Sequence, residues 1–353
     1  MQFFFFLKYC VPGHAIFAAE KTEEAMMLAI LISTLLSGPL DRDSFSVMFW
    51  NLENFFDWKD SGYSDSDREF SSFGDRRWTR GRFYSKCDAV AKAILWTGSS
   101  YGCMPDAIGF SEVENGFVVG MIANSTALRK YGYGTVHYES EDTRGIDVAL
   151  LYRKDRFRCA GSVPHRIYGP DGGRIMTRDI LEVTLQSVSG DPFEVVVLVN
   201  HHPSKYGGEK ESLPGRMAAM RCLVHIADSL IGQGHGNIVA VGDFNDTPDG
   251  RVSELMDGVL HDMSLDLFRA GKGTIRYKGK WELIDRVLVS GNLDSICRMD
   301  ICAVPFLLVE DSASPGKKPF RTYSGPRYNG GVSDHLPVMA FFPRIAENDN
   351  LRQ

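Results

Sequence analysis

The sequence predicts an α/β domain shaped around a chemical site, and three observations predict it. Short apolar runs of strand length alternate with stretches whose apolar residues recur at helical spacing. Six of the apolar runs end in carboxylate, amide or imidazole residues: Asn51, Glu112, His201, Asp243 with Asn245, Asp285, and Asp334 with His335. No repeat, low-complexity segment or Pro/Ser-rich break interrupts the chain beyond residue 40, so these ends belong to one domain, bounded here at 45–345. An N-terminal extension (1–44) precedes it and a short tail (346–353) follows.

Taken in order, Ser46 to Trp50 reads as a strand ended by Asn51-Leu52-Glu53-Asn54. The polar stretch from Asp57 to Trp78 reads as a long surface loop with solvated charges. Phe83, Cys87, Val90, Ala91, Ile94 and Leu95 fall at helical spacing, which predicts a helix over roughly Gly81 to Trp96. Asp106 to Phe110 repeats the first pattern, an apolar run that delivers Ser111-Glu112-Val113-Glu114-Asn115, and a helix over Gly116 to Leu128 follows. Ile146 to Tyr152 and Ile180 to Leu185 read as strands. Phe193 to Val199, apolar except for one Glu, reads as a strand buried on both faces and ends in Asn200-His201-His202-Pro203-Ser204-Lys205. Ser212 and Pro214 open a helix with the face Met217, Met220, Leu223, Val224, Ala227 and Leu230. The Asp243 strand, Leu283 to Val289, and a closing strand at Val338 to Phe342 complete the domain; Phe306 to Val309 reads as core or strand.

A formal charge of −6, from 45 acids against 39 bases, excludes a protein that coats nucleic acid by bulk electrostatics and leaves room only for a local basic groove. Seven scattered cysteines without C-x-x-C spacing exclude a zinc ribbon or a redox pair, and most of them read as small buried hydrophobes. One or two disulfides, for instance involving Cys297 and Cys302, stay open to an exported chain. Phe3 to Phe6 with Lys8, and the run Ala25 to Leu36, each resemble part of an export signal, although Glu20, Glu23 and Glu24 precede the second where a signal carries positive charge. That run is too short to span a bilayer as a helix. Export to the periplasm or the extracellular space is therefore favoured over the cytoplasm, with no stable membrane span and a monomeric state expected.

The chemistry follows from the residue types. Glu112, Asp334 and Asn51 are oxygen donors suited to a hard cation, Mg²⁺ or Mn²⁺, that polarises a phosphoryl oxygen. Asp243 can take a proton from water, and Asn245 can donate to an oxygen gaining negative charge. His201 and His335 can donate to a phosphate, with Asp285 a suitable partner to hold His335 charged or in one tautomer. The bland alternative, a strand end capped by an Asx-turn, suffices for Asp243 alone but not for six strands. No nucleophile elbow, Walker A loop or strand-borne G-x-G-x-x-G occurs. Arg144, Arg178 and Lys205 stand in sequence where they can line the same rim and bind phosphate. The stretch Arg76 to Arg82, with Trp78, Phe83 and Tyr84 interleaved, either grips a nucleic-acid backbone or caps the helix behind it.

In combination and in order, Phe49-Trp50-Asn51-Leu52-Glu53-Asn54, Ser111-Glu112-Val113-Glu114-Asn115, Asn200-His201-His202-Pro203-Ser204, Gly242-Asp243-Phe244-Asn245, Ile284-Asp285-Arg286 and Ser333-Asp334-His335-Leu336-Pro337 resemble the endonuclease/exonuclease/phosphatase superfamily, from about Val47 to Phe342. The resemblance implies a DNase-like four-layer α/β/β/α sandwich of two mixed β-sheets flanked by helices. It also implies metal-dependent attack of water on a phosphate ester. By the same analogy Glu112 holds the metal and Asn51 helps place it, Asp243 orients or deprotonates the water, and Asn245 and His201 steady the transition state. Asp285 orients His335, and Asp334 lies near the metal. Ser111 stands where many members have Gln, and the doublet leaves two registers, of which alternation after Leu198 and Val199 selects His201 with His202 flanking. The Asn-His-His-Pro-Ser-Lys and Glu-Val-Glu-Asn boxes are most similar to bacterial nuclease-type members, which favours DNA or RNA as substrate. The alternatives are a phosphomonoesterase, a phosphoinositide or lipid phosphodiesterase, and a catalytically inactive binding protein of the same fold. A different dinuclear metallophosphoesterase fits Gly242 to Asp246 but lacks its D-x-H and G-N-H-[DE] boxes.

Overall fold

The computed structural model describes residues 44–343 apart from 191, 206 and 257; the N-terminal extension with its export-signal reading, and the tail, lie outside the described residues. Two six-stranded mixed sheets make up the domain. The first contains β1 (Phe45–Phe55), β2 (Ala107–Val113), β3 (Tyr133–His137), β4 (Asp147–Arg153), β11 (Arg298–Ile301) and β12 (Val338–Phe342) in the order β11-β12-β1-β2-β4-β3. The second contains β5 (Phe157–His165), β6 (Ile180–Ser187), β7 (Glu194–His201), β8 (Ile238–Asp243), β9 (His261–Asp262) and β10 (Asp285–Val289) in the order β5-β6-β7-β8-β10-β9. Each sheet has one parallel pair, β1 with β2 and β7 with β8. Each pair is joined by a crossover that carries a long helix, α1 (Arg80–Tyr101) in the first and α3 (Glu209–Gly232) in the second, with α2 (Gly116–Asn124) packed on β3 and β4.

Period two assigns the faces. Phe45, Val47 and Phe49 of β1 meet Val195, Val197 and Val199 of β7, Val239 and Val241 of β8, and Val287 and Val289 of β10 in one core between the sheets. The alternate residues Val196, Leu198, Ile238, Ala240 and Leu288 face outward against Ala219, Met220, Leu223 and Ala227 of α3. Phe55 against Phe83, ring centroids 5.4 Å apart, ties β1 to α1. Helix, sheet, sheet and helix are thus stacked as four layers, and β7 is buried on both faces as its composition predicts. Gly109 lets the two sheets approach closely, since a Cβ there would lie 3.1 Å from Val241 and 3.2 Å from Val199 of the facing sheet.

Two local expectations are corrected and two open readings are decided. The 57–78 stretch is a solvated loop only in part: Asp60, Asp65, Asp75 and Arg77 are exposed, but it holds a short helix at Asp65–Glu69, and Asp67 is 1% exposed, accepting from Ser61 N at 2.8 Å and Ser61 Oγ at 2.6 Å. The arginine-rich stretch fixes the helix behind it. Trp78 and Phe83 are buried, Trp78 Nε1 donates to Phe56 O at 2.8 Å, and Arg82 donates to the carbonyls of Arg76 and Arg77. Helix α3 begins at Glu209, one turn before Ser212, because a proline at its sixth residue removes only one helical hydrogen bond. The six described cysteines, Cys297 and Cys302 among them, are free thiols. Among the described residues no helix is long and apolar enough to cross a membrane.

Two glycines separate packing from propensity. A Cβ on Gly242 would lie 2.5 Å from Asn200 O and 2.6 Å from Asn200 Cβ, whereas one on Gly120, inside α2, meets nothing within 4 Å. Gly242→Ala is expected to cost about 1–3 kcal/mol and Gly120→Ala to gain about 0.5–1 kcal/mol, both read by urea denaturation.

Candidate active site

All six polar strand ends converge because parallel strands end, and their antiparallel neighbours begin, at the same rim. In the second sheet His201, Asp243 and Asp285 are paired in register across β7, β8 and β10. Each sits two residues beyond a core valine, Val199, Val241 or Val287, so the row is the top layer of the core between the sheets. Asn51 holds the same position on β1 above Phe49. Glu112 has the wrong parity for this face, and the structure corrects it with an irregularity: the β1/β2 and β2/β4 registers shift here, and Glu112 adopts φ 59°. Glu53, Asn54 and Asn245 also have positive φ, so four of the six such non-glycine residues among those described cluster at the rim.

Hydrogen bonds fix the row. Asn51 Nδ2 donates to Asp243 Oδ2 at 3.0 Å, and Asn245 N donates to Asp243 Oδ1 at 2.9 Å. His335 Nδ1 is 2.8 Å from Asp285 Oδ2, while its Nε2 lies 3.8 Å from Asp243 Oδ2 and 4.0 Å from Asp334 Oδ1. The turn that carries His335 is pinned to β1: Ser333 Oγ donates to Asn51 O at 2.6 Å, and Trp50 Nε1 donates to His335 O at 2.9 Å. His201 Nε2 faces Asp243 Oδ2 at 3.6 Å and Glu112 Oε1 at 3.9 Å. His202, one residue on, is fully buried on the other face with its ring 4.8 Å from that of Phe244.

Burial sets the protonation states. It opposes charge on His335, but Asp285, by charge and by hydrogen bond, and Asp243 and Asp334 outweigh it and hold this histidine well above the ordinary range. His201 is driven well below that range by burial, with Arg178, Arg144 and the charged His335 adding to the effect. Asp243 is pushed up to about 7 by burial and by Asp285, against His335, Asn245 and Asn51. Glu112 stays low although burial opposes it, because Arg144, the Asn54 N–H, His335 and Arg178 favour its charge. The row therefore pairs a charged imidazolium with a carboxyl poised near neutrality.

The three cations expected from the sequence divide. Arg144 lies 3.5 Å from Glu112 and donates to Asn54 Oδ1; Arg178 reaches Asp142 at 3.0 Å and His202 O at 2.9 Å while acting electrostatically on His201 and Glu112. Lys205 turns instead to Asp246 at 3.5 Å and Glu209 at 3.8 Å. Sequence reasoning missed Lys86, Glu53 and Arg321. Lys86 is buried, donates to Glu53 O at 2.8 Å and Thr322 Oγ1 at 3.0 Å, and is lowered to about 8 by burial against the fields of Glu53, Glu112 and Asp334. Arg321 bridges Glu53, at 3.2 Å, and Asp334, at 2.9 Å. Lys86 sits between Phe83 and Val90 on the apolar stripe of α1, and a lysine there was the available signal.

Two groupings bear on a metal. Asp243, Asp285 and His335 each offer an atom within 4.8 Å of the others, with His335 Nδ1 turned to Asp285 Oδ2. Glu112, Asp334 and Glu53 are all-oxygen donors, and Glu53 is raised to about 7 first by burial and then by the charge of Asp334. Oxygen donors of this kind suit a hard divalent cation; Asn51 Oδ1 accepts from Glu53 N at 2.9 Å.

Residues 46–344 match the model of the Endonuclease/Exonuclease/phosphatase family. Among solved structures, a family protein from Bacteroides thetaiotaomicron is similar at 17% identity, TM-score 0.54, over 84% of this chain and 97% of that one. Truncated Caenorhabditis elegans TDP2 is similar at 18% identity, TM-score 0.52, over 86% and 99%. No curated protein matches the chain in sequence. The chain belongs to the endonuclease/exonuclease/phosphatase family, hydrolases of phosphate esters that use divalent metals.

Asp285→Asn is expected to lower the value at which His335 loses its proton by about 1–3 pH units, followed through the imidazole ¹⁵N shifts. Because the folded value is raised, the stability that the His335 charge supplies is complete below the unfolded histidine range and disappears only as pH rises through the folded value. An unchanged titration in the variant would contradict the assignment.

Proposed function

We propose that this member of the family is a Mg²⁺-dependent phosphodiesterase acting on nucleic acid. The observation that carries the reading is the in-register row of His201, Asp243 and Asp285, closed by His335 and faced by Glu112. In this reading Asp243, raised to about 7, accepts the proton of the attacking water at Oδ2. Charged His335, held by Asp285, donates through Nε2 to a non-bridging phosphoryl oxygen, and neutral His201 offers a second donor on the same side. Asn245, beside Asp243, carries a second amide hydrogen beyond the one given to His202 O. Glu112 and Asp334, with Asn51 and Glu53 adjoining, would hold the cation. When bound, Mg²⁺ polarises a phosphoryl oxygen and stabilises the charge that develops there.

A diester is favoured over a monoester by charge. Glu53, Glu112, Asp243 and Asp334 crowd the rim, and a diester brings one negative charge where a monoester brings nearly two at neutral pH. Arg144, part-exposed beside Glu112, would supply a phosphate contact, and Arg178, buried against Asp142 and His202 O, would add positive field. Lys59 and Arg80 lie over Trp58, 5.4 and 5.7 Å from the ring centroid, and Lys59 also lies 5.1 Å from that of Phe117; such cation and ring surfaces suit a polynucleotide.

The test is hydrolysis of plasmid DNA, RNA and a bis-aryl phosphodiester beside the aryl monoester, with Mg²⁺ or with chelator, by the wild type and Glu112→Gln. Chelator-sensitive cleavage of polymer or diester, reduced about 10²-fold or more in the variant, is expected. Cleavage of the monoester alone would replace this reading with a phosphatase, and folded, Mg²⁺-supplied protein that cuts nothing would replace it with a binding protein.

A further inference from the structure

Away from the rim, the hairpin of β3 and β4 closes on three ligand-type side chains. His137 ends β3, Glu139 follows in the connecting loop, and Asp147 begins β4. A ring nitrogen of His137 and one oxygen each of Glu139 and Asp147 lie within 4.8 Å of one another. The His137 side chain is only 8% exposed, and its Nε2 makes no hydrogen bond although Asp147 Oδ2 lies 3.3 Å away. Asp147 is held in place from its other oxygen, which accepts from Ser140 N at 3.0 Å and from Ser140 Oγ. Glu139 is 68% exposed and stands 3.9 Å from His137 Nδ1, with its carboxyl also facing Asp147. Tyr138, Ser140, Asp147 and Asp179 line a small recess beside the group.

We propose that His137, Glu139 and Asp147 form a second metal site, specific for a borderline divalent transition cation of the Zn²⁺ class and distinct from the all-oxygen rim. Two ligands bound at about 2.1 Å to one such ion stand roughly 3.0–3.5 Å apart, and the His137 and Asp147 atoms are already 3.3 Å apart. An imidazole with two carboxylates suits Zn²⁺, Co²⁺ or Mn²⁺, whereas Mg²⁺ takes oxygen alone. A buried imidazole nitrogen without a hydrogen bond is costly in an empty site and is satisfied by an ion. The three residues stand at the root of the loop that presents Asp142 to Arg178, at 3.0 Å, and Arg144 to Glu112, at 3.5 Å. An ion there ties the two strand ends together and fixes the arginines that face the rim. The consequence for turnover rests on the proposed phosphodiesterase; the binding of the ion does not.

The test uses the full chain and Zn²⁺ or Co²⁺ alone as the probe. Rim binding is removed with Glu112→Gln, and the E112Q protein is compared with E112Q/E139A by calorimetry and by the visible absorption of Co²⁺. Glu139 is exposed, so its loss leaves the fold intact. One equivalent bound by E112Q, weakened tenfold or more in the double variant, is expected. Slower amide exchange over residues 138–146 on adding Zn²⁺ to E112Q is also expected. In otherwise wild-type protein, Glu139→Ala leaves Mg²⁺-supported hydrolysis at saturating substrate unchanged and removes only the effect of added Zn²⁺ on KM. Absence of a bound equivalent in E112Q, or equal affinity in the two proteins, would overturn the site and leave a histidine–aspartate pair only. Failure to hydrolyse any ester leaves the calorimetric comparison readable, so the two readings fail separately.

Discussion

The structure depends on how charge is compensated at the top of the core between the sheets. His201, Asp243 and Asp285 prolong columns of valines into a layer where an unpaired carboxylate costs several kcal/mol. His335 reconciles that burial with two acids, since it is bonded to Asp285 and lies 3.8 Å from Asp243. On the other side Lys86 and Arg321 perform the same service for Glu53, Glu112 and Asp334. The acids remain close together, with Asp243 and Glu53 held up near 7, so the compensation is partial. Partial compensation keeps a carboxyl reactive at neutral pH.

Backbone irregularity serves the same end. Regular strands would turn Glu112 away from the face that carries Asn51, His201 and Asp243. The register shift at Ser111/Val113 and the left-handed backbone at Glu112 bring its carboxylate within 3.9 Å of His201. The pinned Ser333 turn adds His335 just ahead of β12, the strand on the opposite side of β1 from β2. Two sheets thus contribute to one site, which explains why neither half of the sequence contains it.

Much of this was legible in the sequence because strands alternate. The apolar runs ending in Asn51, Glu112, His201, Asp243, Asp285 and His335 were readable as strands, and alternation chose His201 over His202, which the structure places on opposite faces. Glu112 was found by its strand end, but the φ that aims it has no local signature other than the position itself. Lys86 was hidden because helical spacing was judged by its apolar members. Arg321 was hidden because it lies in an irregular segment without period. Asp67 was hidden because polarity alone does not report exposure; its burial comes from backbone N–H groups that no composition reveals. Lys205 was placed by proximity in sequence, and its nearer acids Asp246 and Glu209 hold it elsewhere.

A site of this kind holds acids in place at the expense of stability, and Asp243 is where function and stability separate most sharply. Its folded value, about 7, is above the unfolded carboxylate value of 3.8, so its contribution to stability is lost as pH rises toward and through 7. Asp243→Asn keeps the shape and removes the charge. At pH 8 the variant should melt at the same temperature as the wild type or higher, while its kcat on a phosphodiester falls by roughly 10²–10⁴. A variant that is less stable and retains its activity would contradict the account, because Asp243 would then be a structural carboxylate and not the base.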